Sequence, residues 1–136
     1  MKNLPKIHIQ TNKWVIIVVI MAIAATGWAY EKKSSDQNGV RVLVAPIVLS
    51  PNKAVEFQIR LNTHSVELGQ DLTAVAELRD DQGRTYKALQ WKGSPPGGHH
   101  RSGNLTFEAL QTTAREITLI IREVGGVDQR VFSWKI

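Results

Sequence analysis

The feature that most constrains this chain is an apolar run near its N-terminus, residues 14–30, that contains no charged side chain. A helix of about 17–20 such residues spans the hydrocarbon core of a bilayer, because each residue adds about 1.5 Å. Trp14, Trp28 and Tyr30 lie at the two ends of the run, where amphipathic rings meet lipid headgroups. A helix buried in a soluble core would show a polar stripe, and this run has none. We therefore predict a transmembrane helix at residues 14–30.

Two interpretations of this run remain open. The triplet Ala22–Ala24 has the small-x-small pattern of a signal-peptidase site, and cleavage there would release the rest of the chain. The apolar run continues past that triplet and ends in aromatic residues, which favours an uncleaved signal-anchor. A short basic leader, residues 1–13, before a larger C-terminal region is typical of a signal-anchor that keeps its N-terminus in the cytoplasm. We predict that the C-terminal region is extracytoplasmic, either periplasmic or extracellular.

Charge and cysteine content limit what this C-terminal region does. Of the 17 Lys and Arg residues, 14 follow Tyr30, as do all 12 Asp and Glu residues, so the net charge of this region is +2. A value so close to neutral, with no basic run interleaved with aromatic residues, argues against a nucleic-acid partner. The chain has no cysteine, which excludes disulfides, iron–sulfur clusters and thiolate copper sites.

Hydrophobic residues recur with a period of two beyond a polar segment, residues 31–39, that we predict to be a linker. In residues 54–62, four apolar side chains alternate with polar ones, which predicts a strand with one buried face. Residues 41–50 contain Pro46, which has no N–H group for a sheet ladder, so we predict an edge strand or two short pieces there.

Further strands are predicted between turn residues along the rest of the chain. Residues 72–80 and 85–91 are expected to form a hairpin closed near Gly83, and the chain is expected to end with Trp134 on a core face. The total is about seven short strands with no convincing helix, which is typical of an antiparallel β-sandwich. We predict an immunoglobulin-like or cupredoxin-like arrangement over residues 40–136.

Three histidines of this region lie in two segments predicted to be irregular loops, His64 in the first and His99 and His100 in the second. Imidazole is a common ligand of Zn²⁺ and Cu²⁺. Adjacent residues of a strand point to opposite faces, so His99 and His100 reach one metal only from an irregular loop, which the Pro-Pro-Gly-Gly before them favours. If the two loops meet, the three histidines, or two of them with a carboxylate, form a thiolate-free site, with Cu²⁺ favoured over Zn²⁺ by intrinsic affinity.

Several observations oppose a metal site or a catalytic one. Arg101, directly after the histidine pair, repels a cation, and loop histidines commonly serve only as hydrogen-bond partners. Ser102 has no nucleophile elbow and no evident third member of a triad, and Asp80 belongs to a turn and is expected to be solvated. We predict a non-catalytic domain that interacts with a protein partner outside the membrane.

Trp91 is the one plausible platform on which a sugar ring could stack, with packing at the rim of the core as the alternative.

The motifs THSVEL, residues 63–68, and GGHHRSG, residues 97–103, stand out in this region. Together with the closing Arg130, Phe132 and Trp134, they resemble uncharacterised bacterial and archaeal membrane-anchored or secreted β-sandwich domains. The resemblance extends from the strand before the first motif to the end of the chain and includes none of the membrane run. It implies a sandwich fold, an extracytoplasmic setting and a pairing of the two histidine loops, and it implies no particular activity.

Overall fold

The computed structural model describes Asn3 and residues 30–136. The predicted leader, residues 1–13, and the predicted transmembrane helix, residues 14–30, lie outside the described residues except for Asn3 and Tyr30. Within the described part of the chain, no helix has the length and apolar character that crossing a bilayer requires.

Residues 30–136 form nine strands in two antiparallel sheets, with almost no helix, so the prediction of a mainly β domain is confirmed. The strands are β1 (Lys33–Gln37), β2 (Val40–Val48), β3 (Ala54–Thr63), β4 (Ala76–Asp80), β5 (Thr85–Tyr86), β6 (Ala88–Gly93), β7 (His100–Ala109), β8 (Glu116–Ile121) and β9 (Arg130–Lys135). One helical turn, α1 (Leu72–Val75), precedes β4, and a 3₁₀ segment (Val124–Gly126) precedes β9. The five-stranded sheet has the order β1-β2-β3-β7-β6, and the four-stranded sheet has the order β5-β4-β8-β9.

The alternation predicted for residues 54–62 is confirmed in β3. Its four apolar side chains are fully buried in one core that both sheets share. The ring of Phe57 lies 6.0 Å from that of Phe107 in the same sheet and 5.3 Å from that of Trp134 in the other sheet. Burial of each such side chain contributes about 1.5–3 kcal/mol, so these contacts hold the two sheets together. The buried side chains of β3 are Val55, Phe57, Ile59 and Leu61.

The polar segment predicted as a linker, residues 31–39, contains the edge strand β1. As a result β2 is an inner strand, paired with β1 and β3, and the prediction of an edge strand there is wrong. Pro46 is accommodated because β1 pairs with β2 only as far as Val44 and because the β2–β3 register shifts between Pro46 and Val48. A β-bulge of this kind is one of the places where a strand accepts a residue without an N–H group.

Residues 72–91 contain the predicted hairpin closed near Gly83, but only Leu78 and Arg79 pair in it with Tyr86 and Thr85, so it is much shorter than predicted. The segment begins with α1, which is capped by Asp71, whose carboxylate accepts a hydrogen bond from the backbone N–H of Thr73 at 2.9 Å. The two residues of β5 pair with β4, and the chain then crosses to the other sheet, where β6 pairs with β7. This crossing, together with β1, makes the number of strands larger than the sequence pattern indicates.

A buried arginine joins the two sheets at one end of the core. Arg130 on β9 is 1% exposed. Its guanidinium donates to the backbone carbonyls of Ser35, Gln37 and Val40, at 3.2, 3.1 and 3.0 Å, and these belong to β1 and to the start of β2. It also donates to the carbonyl of Val124 at 3.0 Å. Arg130 therefore ties β9 to the β1–β2 hairpin.

The turn after β4 holds a buried carboxylate, where the sequence pattern indicates a solvated one. The side chain of Asp80 is fully buried and accepts hydrogen bonds from the Tyr86 hydroxyl at 2.6 Å and from the N–H groups of Gln82 and Arg84. Burial by itself would raise the pKa of Asp80, but these hydrogen bonds more than offset it, so the pKa lies below its ordinary value of 3.8.

The buried carboxylate of Asp80 makes the free energy of unfolding depend on pH in the acidic range. Because the pKa of Asp80 is lower in the folded chain than in the unfolded chain, ionised Asp80 stabilises the fold above pH 3.8, and the contribution is lost as the pH falls through the folded-state pKa. We expect the free energy of unfolding to decrease between about pH 5 and pH 2, and to decrease less in Asp80→Asn. Urea unfolding at a series of pH values measures both, and an equal decrease in the two proteins would contradict the assignment to Asp80.

Candidate functional site

The two histidine segments meet at one end of the five-stranded sheet. The backbone N–H of Thr63 donates to the carbonyl of His99 at 3.0 Å, and the N–H of Leu68 donates to the carbonyl of Gly98 at 2.9 Å. The N–H of Gly97 donates in return to the carbonyl of Leu68 at 2.8 Å. Residues 64–71, the first loop, are therefore held against residues 94–99, the hairpin loop between β6 and β7.

The second histidine segment is less irregular than its prolines and glycines suggest. The prediction of an irregular loop is wrong for residues 100–103, because they belong to β7 and pair with β3. Gly97 and Gly98, with φ values of 113° and 71°, make the reversal that brings the chain into the strand. Successive strand residues point to opposite faces, so Arg101 lies inward at 3% exposure while His100 lies on the exposed outer face.

His64 and His100 lie side by side, and both are exposed. Their ring centroids are 6.5 Å apart, and the rings are nearly perpendicular. The Nδ1 atom of His100 lies 2.9 Å from the Oδ1 atom of Asn62, which only accepts hydrogen bonds, so this contact places a proton on Nδ1. The Nε2 atom of a neutral His100 is then left with a free lone pair.

His99 takes part in the site through its backbone. Its carbonyl accepts the bond from Thr63 described above, and its side chain is exposed. Among residues 30–136, no three or more His, Cys, Asp or Glu side chains are grouped so that they could hold one metal ion. Of the three histidines predicted as ligands, the structure pairs the rings of His64 and His100.

A row of polar side chains crosses four strands at this end of the sheet. Asp36 on β1 is in register with Arg41 on β2, Arg41 with Asn62 on β3, and Asn62 with His100 on β7. All four residues are exposed on the outer face of the sheet. In the next row toward the middle of the strands, Arg60 on β3 faces Ser102 on β7. We name this surface the histidine face, and it consists of Asp36, Arg41, Arg60, Asn62, His64, His100 and Ser102.

Two neighbouring cavities open on the histidine face. One has a volume of about 540 Å³ and lies between the β1–β2 hairpin and His64. The other has a volume of about 370 Å³ and lies beside the hairpin loop. Asn62 and His100 line both cavities, so the hydrogen-bonded pair forms the ridge between them.

Arg101 supports this face from the core side. Its guanidinium donates to the backbone carbonyls of Leu68 at 3.2 Å, Gln70 at 2.7 Å and Ser94 at 3.5 Å, so it bonds to both loops. Burial lowers the pKa of Arg101, and the nearby Asp71 carboxylate partly offsets this effect. The guanidinium also lies 5.6 Å from the ring centroid of Trp91. Arg101 therefore stabilises the contact between the loops.

Trp91 packs against the core and does not stand free in solvent. It is half-buried, and its indole N–H donates to the carbonyl of Ser94 at 2.8 Å. One edge of the ring lies over the α-carbons of Gly93 and Gly103, which face each other across β6 and β7. These contacts match packing of Trp91 at the rim of the core, which is the alternative to a platform for sugar stacking.

Removal of the Arg101 guanidinium is expected to loosen the two loops. In Arg101→Met, the carbonyls of Leu68 and Gln70 lose a charged donor that bonds to both. We expect the amides of Leu68 and Gly97 to exchange with solvent at least about tenfold faster, measured by native-state hydrogen exchange on the full chain. Lys92→Met, at an exposed position of β6, is the control and should leave both rates unchanged. Unchanged exchange in Arg101→Met would contradict this role.

The sequence pattern alone does not identify four residues of the histidine face, namely Asp36, Arg41, Arg60 and Asn62. The alternation of residues 54–62 places Arg60 and Asn62 on the solvent side, and this is the one local signal that points to them. Their proximity to the histidines depends on strand register, which the sequence pattern does not give.

Comparisons of the chain with known protein families, with curated proteins and with solved structures found no match.

Proposed function

We propose that this chain is a single-pass, membrane-anchored, extracytoplasmic binding domain that holds a protein partner on its histidine face and performs no catalysis. Residues 14–30 would anchor it in the lipid bilayer, with the leader, residues 1–13, in the cytoplasm. We also propose that its sandwich is immunoglobulin-like or cupredoxin-like and related to the β-sandwich domains that its loop motifs resemble. Two antiparallel sheets over one core support that class.

The observation that carries the binding function is the exposed row of Asp36, Arg41, Asn62 and His100 on regular strands. Side chains on strands are held more rigidly than side chains on loops, so less entropy is lost when a partner binds them. The loop contacts around Leu68 and the buried Arg101 hold the end of this surface in place. Such a row of charged and amide groups favours a partner with complementary polar groups.

Site-specific photo-crosslinking on the full chain in its native membrane tests this function. A photoreactive amino acid replaces Ser102, which is exposed on the histidine face, and the matched control replaces Val131, which is 57% exposed on the four-stranded sheet. We expect one defined protein adduct from position 102 and none from position 131. The adduct should disappear in Arg41→Glu, which reverses one charge of the row.

Two results would reject a partner-binding histidine face. One is equal labelling from positions 102 and 131, which indicates chance encounters with other proteins. The other is a position-102 adduct whose yield does not change in Arg41→Glu, since a partner held by the polar row depends on its charge.

Copper or zinc binding is a second candidate, favoured by the contact between His100 and Asn62. A metal-ligating histidine commonly donates its other ring N–H to an oxygen that fixes the ring orientation, and Asn62 occupies that position for His100. His64 would supply the second imidazole, and Cu²⁺ is favoured over Zn²⁺ by intrinsic affinity. Arg41 and Arg60 on the same face oppose a cation.

Titration of the full chain with Cu²⁺ and with Zn²⁺ tests this candidate. We expect micromolar binding that weakens at least about tenfold in His64→Ala and in His100→Ala. A similar loss in His99→Ala would extend the site to the three histidines predicted from the sequence. Binding no tighter than about 1 mM, or binding unchanged in the His64→Ala and His100→Ala variants, would exclude the metal site.

A further inference from the structure

The smaller cavity of the histidine face, about 370 Å³ beside the hairpin loop, has an unusual lining. Apart from Arg101, whose side chain lies on the core side of β7, each residue around it carries an N–H or O–H donor in its side chain, if His100 is counted with its proton on Nδ1. None of them is a carboxylate. The lining residues are Arg60, Asn62, Ser94, His100, Arg101 and Ser102.

Two of these residues are arginines, and of the two only Arg60 has its side chain on the outer face of the sheet. Within residues 30–136, the ion pairs closer than 4.0 Å involve Arg79, Arg84 and Arg122, and neither Arg60 nor Arg101 takes part in one. Arg60 is exposed, whereas the side chain of Arg101 is 3% exposed on the core side of β7, near the Asp71 carboxylate. Arg60 therefore brings to the cavity a positive charge that has no ion-pair partner among residues 30–136, and this charge attracts an anion.

The polar groups around the cavity are also arranged for an oxygen-rich ligand. Arg60 and Ser102 face each other across β3 and β7, and Asn62 and His100 face each other one row away. Since Asn62 uses its Oδ1 atom to accept from His100, its NH₂ group remains available as a donor. The planar guanidinium of Arg60 matches the two oxygens of a carboxylate or a phosphate.

We infer that this cavity binds an oxyanion, a carboxylate or phosphate group, with Arg60 as the principal ligand and Asn62 as an additional donor. This inference rests on the proposed function and deepens it, because it names the chemical group that the partner presents to the histidine face. The mainly polar lining and the exposure of Arg60 suit a group carried on a larger molecule.

NMR titration of the full, ¹⁵N-labelled chain in detergent micelles tests the inference. Inorganic phosphate and malonate are added separately at constant ionic strength, which separates specific binding from screening. We expect saturable shifts of the Asn62, His100 and Ser102 amides with at least one anion. Shifts with phosphate alone indicate a phosphate group, shifts with malonate alone indicate a carboxylate, and shifts with both indicate a site for either.

A matched pair of variants decides whether Arg60 is the ligand. Arg60→Gln should weaken the anion at least about tenfold, because a charge-assisted pair is lost. Arg79→Gln removes an exposed arginine from the other sheet and should leave the affinity unchanged. Arg60 is exposed, so the variant should fold, and an unchanged amide spectrum away from the cavity checks this. Affinity unchanged in Arg60→Gln, or no saturable shift below about 10 mM of either anion, would overturn the inference.

The experiments can reject the protein-partner function and the oxyanion cavity independently of each other. If the position-102 adduct forms and depends on Arg41 while neither anion binds, the partner-binding function stands and the oxyanion cavity is rejected. If an anion binds through Arg60 while no adduct forms, the cavity stands and the protein-partner function is rejected.

Discussion

Replacing Arg130 with methionine is expected to lower the free energy of unfolding by about 3–5 kcal/mol, the largest effect of any single substitution considered for this chain. Methionine fills much of the same space, but it cannot donate to the carbonyls of Ser35, Gln37, Val40 and Val124. A buried acceptor left without a donor costs about 1–3 kcal/mol, and several are affected together. Urea unfolding of the full chain in detergent micelles, followed by tryptophan fluorescence to which buried Trp134 contributes, measures the loss.

Two further variants separate the hydrogen bonds of Arg130 from its charge. Arg130→Lys keeps the positive charge but replaces a planar fork of five donors by a single ammonium group, so we expect it to recover only part of the loss. Lys135→Met makes the corresponding change at an exposed position of the same strand and should alter the free energy of unfolding by less than about 0.5 kcal/mol. If Arg130→Met behaved like Lys135→Met, the bonds to the β1–β2 hairpin would not be stabilising.

Replacing Gly103 with alanine is expected to destabilise the fold by about 3 kcal/mol. A Cβ atom on Gly103 would lie 2.5 Å from the carbonyl oxygen of Lys92, 2.6 Å from the α-carbon of Gly93 and 2.8 Å from the ring of Trp91. The first two contacts are with backbone, so β6 and β7 would have to move apart. Because these strands form the hairpin beside the oxyanion cavity, we also expect weaker anion binding than in the native chain.

The response to a second substitution identifies the cause of this loss. Trp91→Ala in the Gly103→Ala background removes the contact with the ring but leaves both backbone contacts, so we expect no recovery of stability. Gly69→Ala is the matched control, because a Cβ atom there has no neighbour within 4 Å, and it should be neutral or slightly stabilising. Full recovery in the double variant would show that the ring, and not the backbone, sets the limit at Gly103.

The local sequence pattern predicts some positions of the histidine face and fails to predict others. The period-two pattern of residues 54–62 identifies the buried face of β3 and also places Arg60 and Asn62 in solvent. The position of His100 could not be read in the same way, because the glycines and prolines before it are typical of an irregular loop. It lies in β7 because its backbone pairs with Asn62, a residue 38 positions earlier. Register between strands so far apart is not encoded in either segment alone.

The edge strand β1 shows the same limit for the fold. Lys33–Gln37 has no apolar alternation, and nothing local distinguishes it from a linker. It becomes a strand because β2 offers an unpaired edge and because the guanidinium of Arg130 donates hydrogen bonds to the carbonyls of Ser35 and Gln37. Arg130 lies more than 90 positions after Ser35 and Gln37 in the chain.

The amino-acid order therefore establishes which faces are apolar, that the domain after residue 30 is built from strands, and that Phe132 and Trp134 belong in its core. These properties depend on the alternation of neighbouring side chains, which a short segment carries within itself. Strand order, the crossing between sheets after β5 and the meeting of the two histidine loops arise in the folded chain. They depend on hydrogen bonds and buried contacts between distant residues. Arg101 and Arg130 make many of these hydrogen bonds from buried positions, although in the sequence both look like surface charges.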